Sequence, residues 1–431
     1  TGSLTTDANR GSHVMDGIPY FVNGSMLYKV LRTVDASLRE VFTTVPLGTI
    51  TGSGRVSMAD NGTQLCILVP NGSGFIYNDT AVTFDQITDS DFIANGAPQH
   101  VVYIDGYFLF TTNSKKFIVS ALNNGLAYNA LDFGTAEADP DDIVAPIVLS
   151  NQLYIGGSET FEMFRNIGGA GFPFKRVEGG SIPYGVAAAF SLQTSTGMFA
   201  FVGGGEHEDP SIMTFDGSSI NHISDDSVDT ILNALTETEL QSVFAWAYGQ
   251  AGDHFIGFNL GSRTLVYEIK SGKWHERKSY SITDDVGSET RWRVNSVVKA
   301  YNRILVADSL DGRIGDLDLD FYDEYDQPIV STFSTMPFSN MGNSIRFPEL
   351  ELTMESGVGN AECPNPMVTM SRSIDGNIFK NERTRPIGQL GDYKNRVIWR
   401  KNGRAGRLEM FKFSCSAKVK KVFVNMWANI L

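Results

Sequence analysis

The residues of this chain that could carry chemistry are few and dispersed. Glu206, His207, Glu208 and Asp209 crowd together in the run GGGEHEDP. Adjacent side chains on a Gly-rich loop point apart, so a solvated turn accounts for them better than a metal site. Asp316, Asp318 and Asp320 alternate with Leu317 and Leu319. Calcium loops space carboxylates in this way, but the glycine that must follow the third ligand is missing, and an amphipathic strand explains the pattern. Cys66, Cys363 and Cys415 are an odd number at wide, motif-free spacings. They read as reduced, buried thiols, neither a disulfide framework nor a zinc set, and as a sign of synthesis in a reducing cytoplasm. Gly168-Gly169-Ala170-Gly171 lacks the Lys-Ser/Thr of a phosphate cradle, no G-x-S-x-G elbow occurs, and the six histidines stand singly. The residue types predict no enzyme, no metal and no cofactor.

The elements that would have to position such residues are more informative. Seven strand–turn–strand stretches recur. They begin at Tyr20 (YFVNGSMLYKV), Gln64 (QLCILVPNGSGFIY), Tyr107, Leu153, Met198, His254 and Arg303 (RILVADSLDGRIGDLD). In nearly all of them an aromatic or β-branched run meets a Gly, Asn or Asp turn and then a second apolar run. Successive starts lie 44, 43, 46, 45, 56 and 49 residues apart. A near-constant period of this length is that of a β-propeller, whose four-stranded blades hide their faces against one another. We read residues 13–320 as a propeller of about seven blades, with six as the alternative count; a pair of ordinary sandwiches has no reason to keep one period. Residues 225–247 break the β-pattern with apolar side chains at helical spacing and good helix formers. A helical insertion there explains the one stretched interval.

After an acidic, aromatic linker, FYDEYDQP, the texture changes. Residues 329–431 hold longer strands, one of which alternates polar with apolar (RLEMFKFSC), and we read them as a separate β-sandwich. Charge divides at the same place. Residues 329–431 carry 15 Lys/Arg and 8 Asp/Glu, while residues 1–328 carry 20 and 41. A body with a net charge of −21 stays soluble and repels nucleic acid. No apolar run is long enough for a membrane helix. Residues 1–12 lack the order of a signal peptide, and because residue 1 is Thr a short preceding piece is expected. Propellers also host glycosidases, so a propeller-type glycan-binding or glycan-cleaving protein is the alternative reading. Its support is thin: Ser373-Ile374-Asp375-Gly376 is only partly similar to an Asp-box turn, occurs once, and lies outside the propeller stretch.

Several stretches resemble one family, the packaged-DNA stabilisation or tail-hub proteins of short-tailed enterobacterial phages. They include Gly52-Ser53-Gly54-Arg55-Val56-Ser57-Met58-Ala59 and Gly24-Ser25-Met26-Leu27-Tyr28. Others are the run from Ile155 to Phe164 (IGGSETFEMF) and the Phe172-Pro173-Phe174-Lys175-Arg176 that follows it. In the second half LELTMESGVG from Leu350, Ser371-Arg372-Ser373-Ile374-Asp375-Gly376 and RVIWRKNGR from Arg396 keep the family order. The resemblance implies a structural virion protein: a hexameric hub that closes the portal channel, follows the portal adaptor ring, holds the tail needle and helps attach tailspikes. It implies no catalysis and no cofactor.

Two surfaces are candidates for partner binding. Phe172, Phe174 and Arg176 lie in a Gly-rich stretch that can project as a loop, two aromatic rings being suitable anchors, while packing into the propeller core is the competing use. Residues 372–421 carry 14 Lys/Arg against four acids, densest at Arg396, Arg400, Lys401, Arg404 and Arg407. Three uses fit that density: a solvated face, a surface near packaged DNA, or docking onto an acidic neighbour, whether the adaptor ring or the body of an adjacent copy.

Overall fold

The computed structural model describes residues 7–136, 141–169, 171–283 and 286–431; Thr1 to Thr6 of the N-terminal stretch and Ala170 of the Gly-rich run lie outside them. By contact the chain divides into two compact units, Thr1–Lys278 with Arg291–Leu317, and Ser279–Thr290 with Asp318–Leu431.

The apolar hairpins of the sequence become middle strands of six antiparallel sheets, spanning 9–49, 57–86, 98–135, 143–182, 185–222 and 244–291, and the last two strands of a three-stranded seventh, spanning 294–316. We number these blades 1 to 7. Middle strands such as Gln64–Leu68 and Ser211–Phe215 are buried at every residue, because a blade is covered on both faces by its neighbours. That is why they read as continuous apolar runs without alternation. Outermost strands such as Thr83–Gln86 are polar and mostly exposed.

Each seam between consecutive blades holds its own apolar cluster. Tyr20, Leu27, Leu65 and Phe75 join blades 1 and 2. Cys66, Ile76, Phe108 and Phe110 join blades 2 and 3. The series continues to Phe244, Trp246, Val294 and Val306 between blades 6 and 7. The last seam, Phe21 and Val30 against Ala300, Leu305 and Ala307, closes the circle and is apolar but small.

No strand is shared between the first and last blades among the described residues, since every sheet is built from consecutive strands. A polar clasp closes the ring instead. Buried Asn9 accepts from Ser296 Oγ at 2.7 Å through its side chain, and its carbonyl accepts from Asn295 Nδ2. Its own amide donates to Val22 O and Asn23 Oδ1. Tyr301 donates to Val30 O at 2.9 Å, and Arg303 pairs with Glu40 at 2.7 Å.

Two short helices follow blade 5. The first, α1 (Asp226–Asn233), is capped by the Asp225 carboxylate, which accepts from Ser227 N and Val228 N. The second, α2 (Glu237–Gln241), opens on a Thr236/Glu239 capping box. Val228 and Leu232 are buried with side chains of blades 5 and 6. The helical stretch stops at Gln241, and Phe244–Gln250 is already the first strand of blade 6. Its aromatic and small residues suit a pleated seam better than a third turn of helix.

The second unit contains the sandwich. Ser331–Ser334, Met410–Cys415, Met367–Ser373 and Lys380–Pro386 form one sheet in that order. Val397–Arg400, Glu349–Met354 and Phe423–Asn429 form the other. Phe411, Phe413, Val368 and Met370 from the first meet Leu350, Leu352, Val397 and Trp399 from the second in a single core. The alternating run of the sequence puts Phe411, Phe413 and Cys415 inward, the period of two that a half-buried strand requires.

Candidate functional site

The residue groups with catalytic or metal-binding potential stay apart in the fold. Among the described residues no group of three or more His, Cys, Asp or Glu side chains could hold a metal ion. His207 and Glu206 are both largely exposed, and Glu208 accepts from the Gly205 amide to close its turn. Asp316 pairs with Arg303, and Asp318 accepts from the amide of Asp320. Asp375 accepts from the amides of Asn377 and Ile378 and from Ser373 Oγ. Those bonds, the one from Ile378 above all, hold its carboxyl down at about 2, a turn-forming role.

Phe172 and Phe174 turn inward. Phe174 is buried in the seam between blades 3 and 4, and Phe172 is half-buried against Phe117, ring centroids 5.4 Å apart. Of the two uses open to these rings, core packing is the one they adopt. The reason is local: Gly134 leaves room above Phe117 that the Phe172 ring fills. Gly168, Gly169 and Gly171, all at positive φ, bend the intervening loop so that both rings can reach it. Arg176 is the member of this group that stays exposed, 3.7 Å from the buried Glu162 carboxylate.

The basic segment separates into two populations. Arg372, Arg383 and Arg385 are structural. Arg372 forms a two-pronged pair with the fully buried Glu409, both contacts 2.6 Å, and donates to Asn402 O at 2.5 Å. Arg383 donates to Asn402 Oδ1 and Arg400 O, both at 2.8 Å, and Arg385 to Ile398 O. These guanidiniums satisfy the carbonyls of the turn that joins Val397–Arg400 to Arg404–Ala405. Gly403, at φ 89°, sits where any β-carbon would strike Arg372.

The second population is displayed. Arg396 and Arg400 cross the outer face of the three-stranded sheet to Glu351 and Glu349, at 2.8 and 2.9 Å. Lys401, Arg404 and Arg407 are exposed and make no ion pair among the described residues. Five cations that looked alike in the sequence thus become two neutralised cross-strand pairs and three free charges. The turn they occupy is fixed from beneath by Arg372 and Arg383.

A further arginine was visible only as part of a motif. Arg55 lies at the entry to blade 2, its guanidinium 3.7 Å from the centroid of Phe244. Burial, reinforced by the like charge of Arg291, pushes it down to about 9, so that it remains a cation at neutral pH.

Two family models match the chain: the β-propeller of bacteriophage P22 Gp10 over residues 3–322, and the β-sandwich of the same protein over residues 331–430. The tail hub protein gp10 of Salmonella phage P22 is 23% identical over 386 residues, covering 86% of this chain and 79% of that protein. Among solved structures the chain is similar to the WD40 β-propeller domain of Doa1, with 11% identity and a TM-score of 0.42 over 74% of this chain and 95% of that one. PorZ of the Porphyromonas gingivalis type-IX secretion system gives 11% and 0.43, over 80% and 44%.

Proposed function

This chain belongs to the bacteriophage P22 Gp10 family, tail-hub components of short-tailed phage virions, and on that premise we propose that it closes the portal channel of its own virion and stabilises the packaged DNA. In this reading several copies, most simply six, form a ring beneath the portal adaptor ring and carry the tail needle and tailspikes. Closing a channel over pressurised DNA calls for many modest contacts repeated by symmetry, which a rigid propeller with a sandwich appendage supplies. The acidic body resists trapping DNA as it leaves.

The observation that carries the assembly role is the rigid cationic turn. Lys401, Arg404 and Arg407 are held out on a scaffold of buried guanidinium contacts, whereas residues 1–328 carry an excess of 21 negative charges. We assign the turn to docking on an acidic neighbour, either the adaptor ring or the body of an adjacent copy. Each rim charge pair contributes about 0.2–1 kcal/mol, and ring symmetry multiplies it. The test mixes purified chain with the portal adaptor ring and follows mass by size exclusion with light scattering. Wild-type protein is expected to join in several copies per ring. Lys401→Glu with Arg404→Glu is expected to lower incorporation, most strongly at low salt where the charges are least screened, at an unchanged melting temperature. Normal incorporation with both charges reversed would return the turn to a solvated face.

A further inference from the structure

The axis of the propeller encloses a cavity of about 500 Å³ whose wall takes residues from all seven blades. Three features of that wall concern charge. Arg55 lines it as a cation with no ion pair among the described residues; its only hydrogen bond runs from Nη1 to Asn295 O at 3.1 Å, and its buried Nε has no acceptor. Among the described residues Asp60 is the only acidic one in the wall, and His13 already occupies it at 2.6 Å. Ser12 and Trp246 also line the cavity, and Ser12 Oγ and Trp246 Nε1 are buried polar atoms without a partner.

Arg55 is half-buried with its Nε fully covered, and a desolvated cation without a counter-charge is costly unless something compensates it. The aromatic rings around Arg55 compensate only in part. Phe244 and Phe190 offer π-faces at 3.7 and 5.6 Å, but they accept none of its in-plane N–H groups. The surroundings add further positive charge. Arg10, itself buried, donates to the carbonyl of Gly54, the residue before Arg55. Arg291 lies 6.0 Å from the same Phe244 ring. Two guanidiniums therefore lie near one phenyl ring, beside a cavity whose single carboxylate among the described residues is already taken.

We propose that the axial cavity is a binding site for a small oxyanion, phosphate or a short dicarboxylate, with Arg55 as its principal partner. The planar fork of a guanidinium matches two oxygens of such an anion. Ser12 and Trp246 on the same wall are candidates for additional donors. The site goes beyond the hub role and does not depend on it.

The experiment is thermal unfolding of the full chain at constant ionic strength, titrated with inorganic phosphate or with malonate and compared with sodium chloride. A saturable rise of about 5 °C is expected at a hundred times Kd. Arg55→Met should melt no lower than wild type in chloride alone and should lose the saturable rise, so that the two curves cross as phosphate is added. Whichever of phosphate and malonate saturates at the lower concentration identifies the preferred anion. If Arg55→Met does not fold, Arg55→Lys keeps the charge without the fork and should weaken binding at least tenfold, read as the anion concentration at which the melting temperature saturates. A wild-type response no different from the chloride control would overturn the proposal and leave the cavity to water. So would an equal response in the Arg55 variants.

Discussion

Replacing Arg372 with Met tests the arrangement that holds the cationic turn in place. In the native sandwich the guanidinium meets both oxygens of a fully buried carboxylate and caps the Asn402 carbonyl. Met fills much of the same space but leaves the fully buried Glu409 carboxyl without its partner. Breaking a buried ion pair from one side costs about 3–5 kcal/mol, and the carbonyl that loses its donor adds roughly another 1 kcal/mol. For a unit of around a hundred residues each kcal/mol lowers the melting temperature by about 4–8 °C, so the sandwich transition should fall by ~16 °C or more. Calorimetry of the full chain measures the shift, and limited proteolysis with mass spectrometry assigns it to residues 329–431. Trypsin should also cut faster after Lys401 and Arg404, because their turn loses its support. Arg372→Met combined with Glu409→Met removes both charges and should recover most of the loss. A single variant within about 1 kcal/mol of wild type, or a double variant no better than the single, would refute the reasoning.

Other consequences follow from the propeller. Phe174→Ala should destabilise it by about 3–5 kcal/mol and half-buried Phe172→Ala by roughly half as much, read as melting temperatures; equal, negligible effects would mean that the rings are not core. Asn9→Ala strips the ring clasp and should cost about 1–3 kcal/mol, with faster hydrogen exchange in the first strand of blade 1 and in blade 7 than elsewhere. Burial pushes His100 down to about 4, so the folded protein keeps it neutral while the unfolded chain protonates it below about 6.5. Its contribution is therefore fully present above pH ~6.5 and is lost as pH falls towards 4. The loss amounts to roughly 2 kcal/mol by pH 5, and His100→Gln should flatten the dependence of stability on pH by that amount.

The architecture was legible in the sequence because a propeller repeats one problem seven times. Each blade must cover both faces of its two middle strands, and that need writes a long apolar hairpin into the chain at a steady interval. The helices showed through for a similarly local reason, a periodic apolar face with capping residues in front of it, although Phe244 to Ala247 looked helical and form a strand. The sandwich showed itself in the alternation of Met410 to Cys415.

The roles of individual charged and aromatic side chains were not legible, because they depend on what lies across space. Phe172 and Phe174 look like a loop anchor until blade 3 offers the gap over Gly134. Arg372, Arg383 and Arg385 belong to the same basic run as Lys401 and Arg404, yet the first three are consumed by buried carbonyls and a carboxylate that come from distant residues. Arg55 is one letter in a Gly-rich motif until ring closure brings Phe244 and Asn295 beside it, 189 and 240 residues further along the chain. Local patterning determined which segments become strands and which faces they bury. Only the closed ring and the packed sandwich decided which charges are neutralised, which are displayed, and which is left facing a cavity without a counter-ion, because electrostatic partnership is set by distance and burial, not by order in the chain.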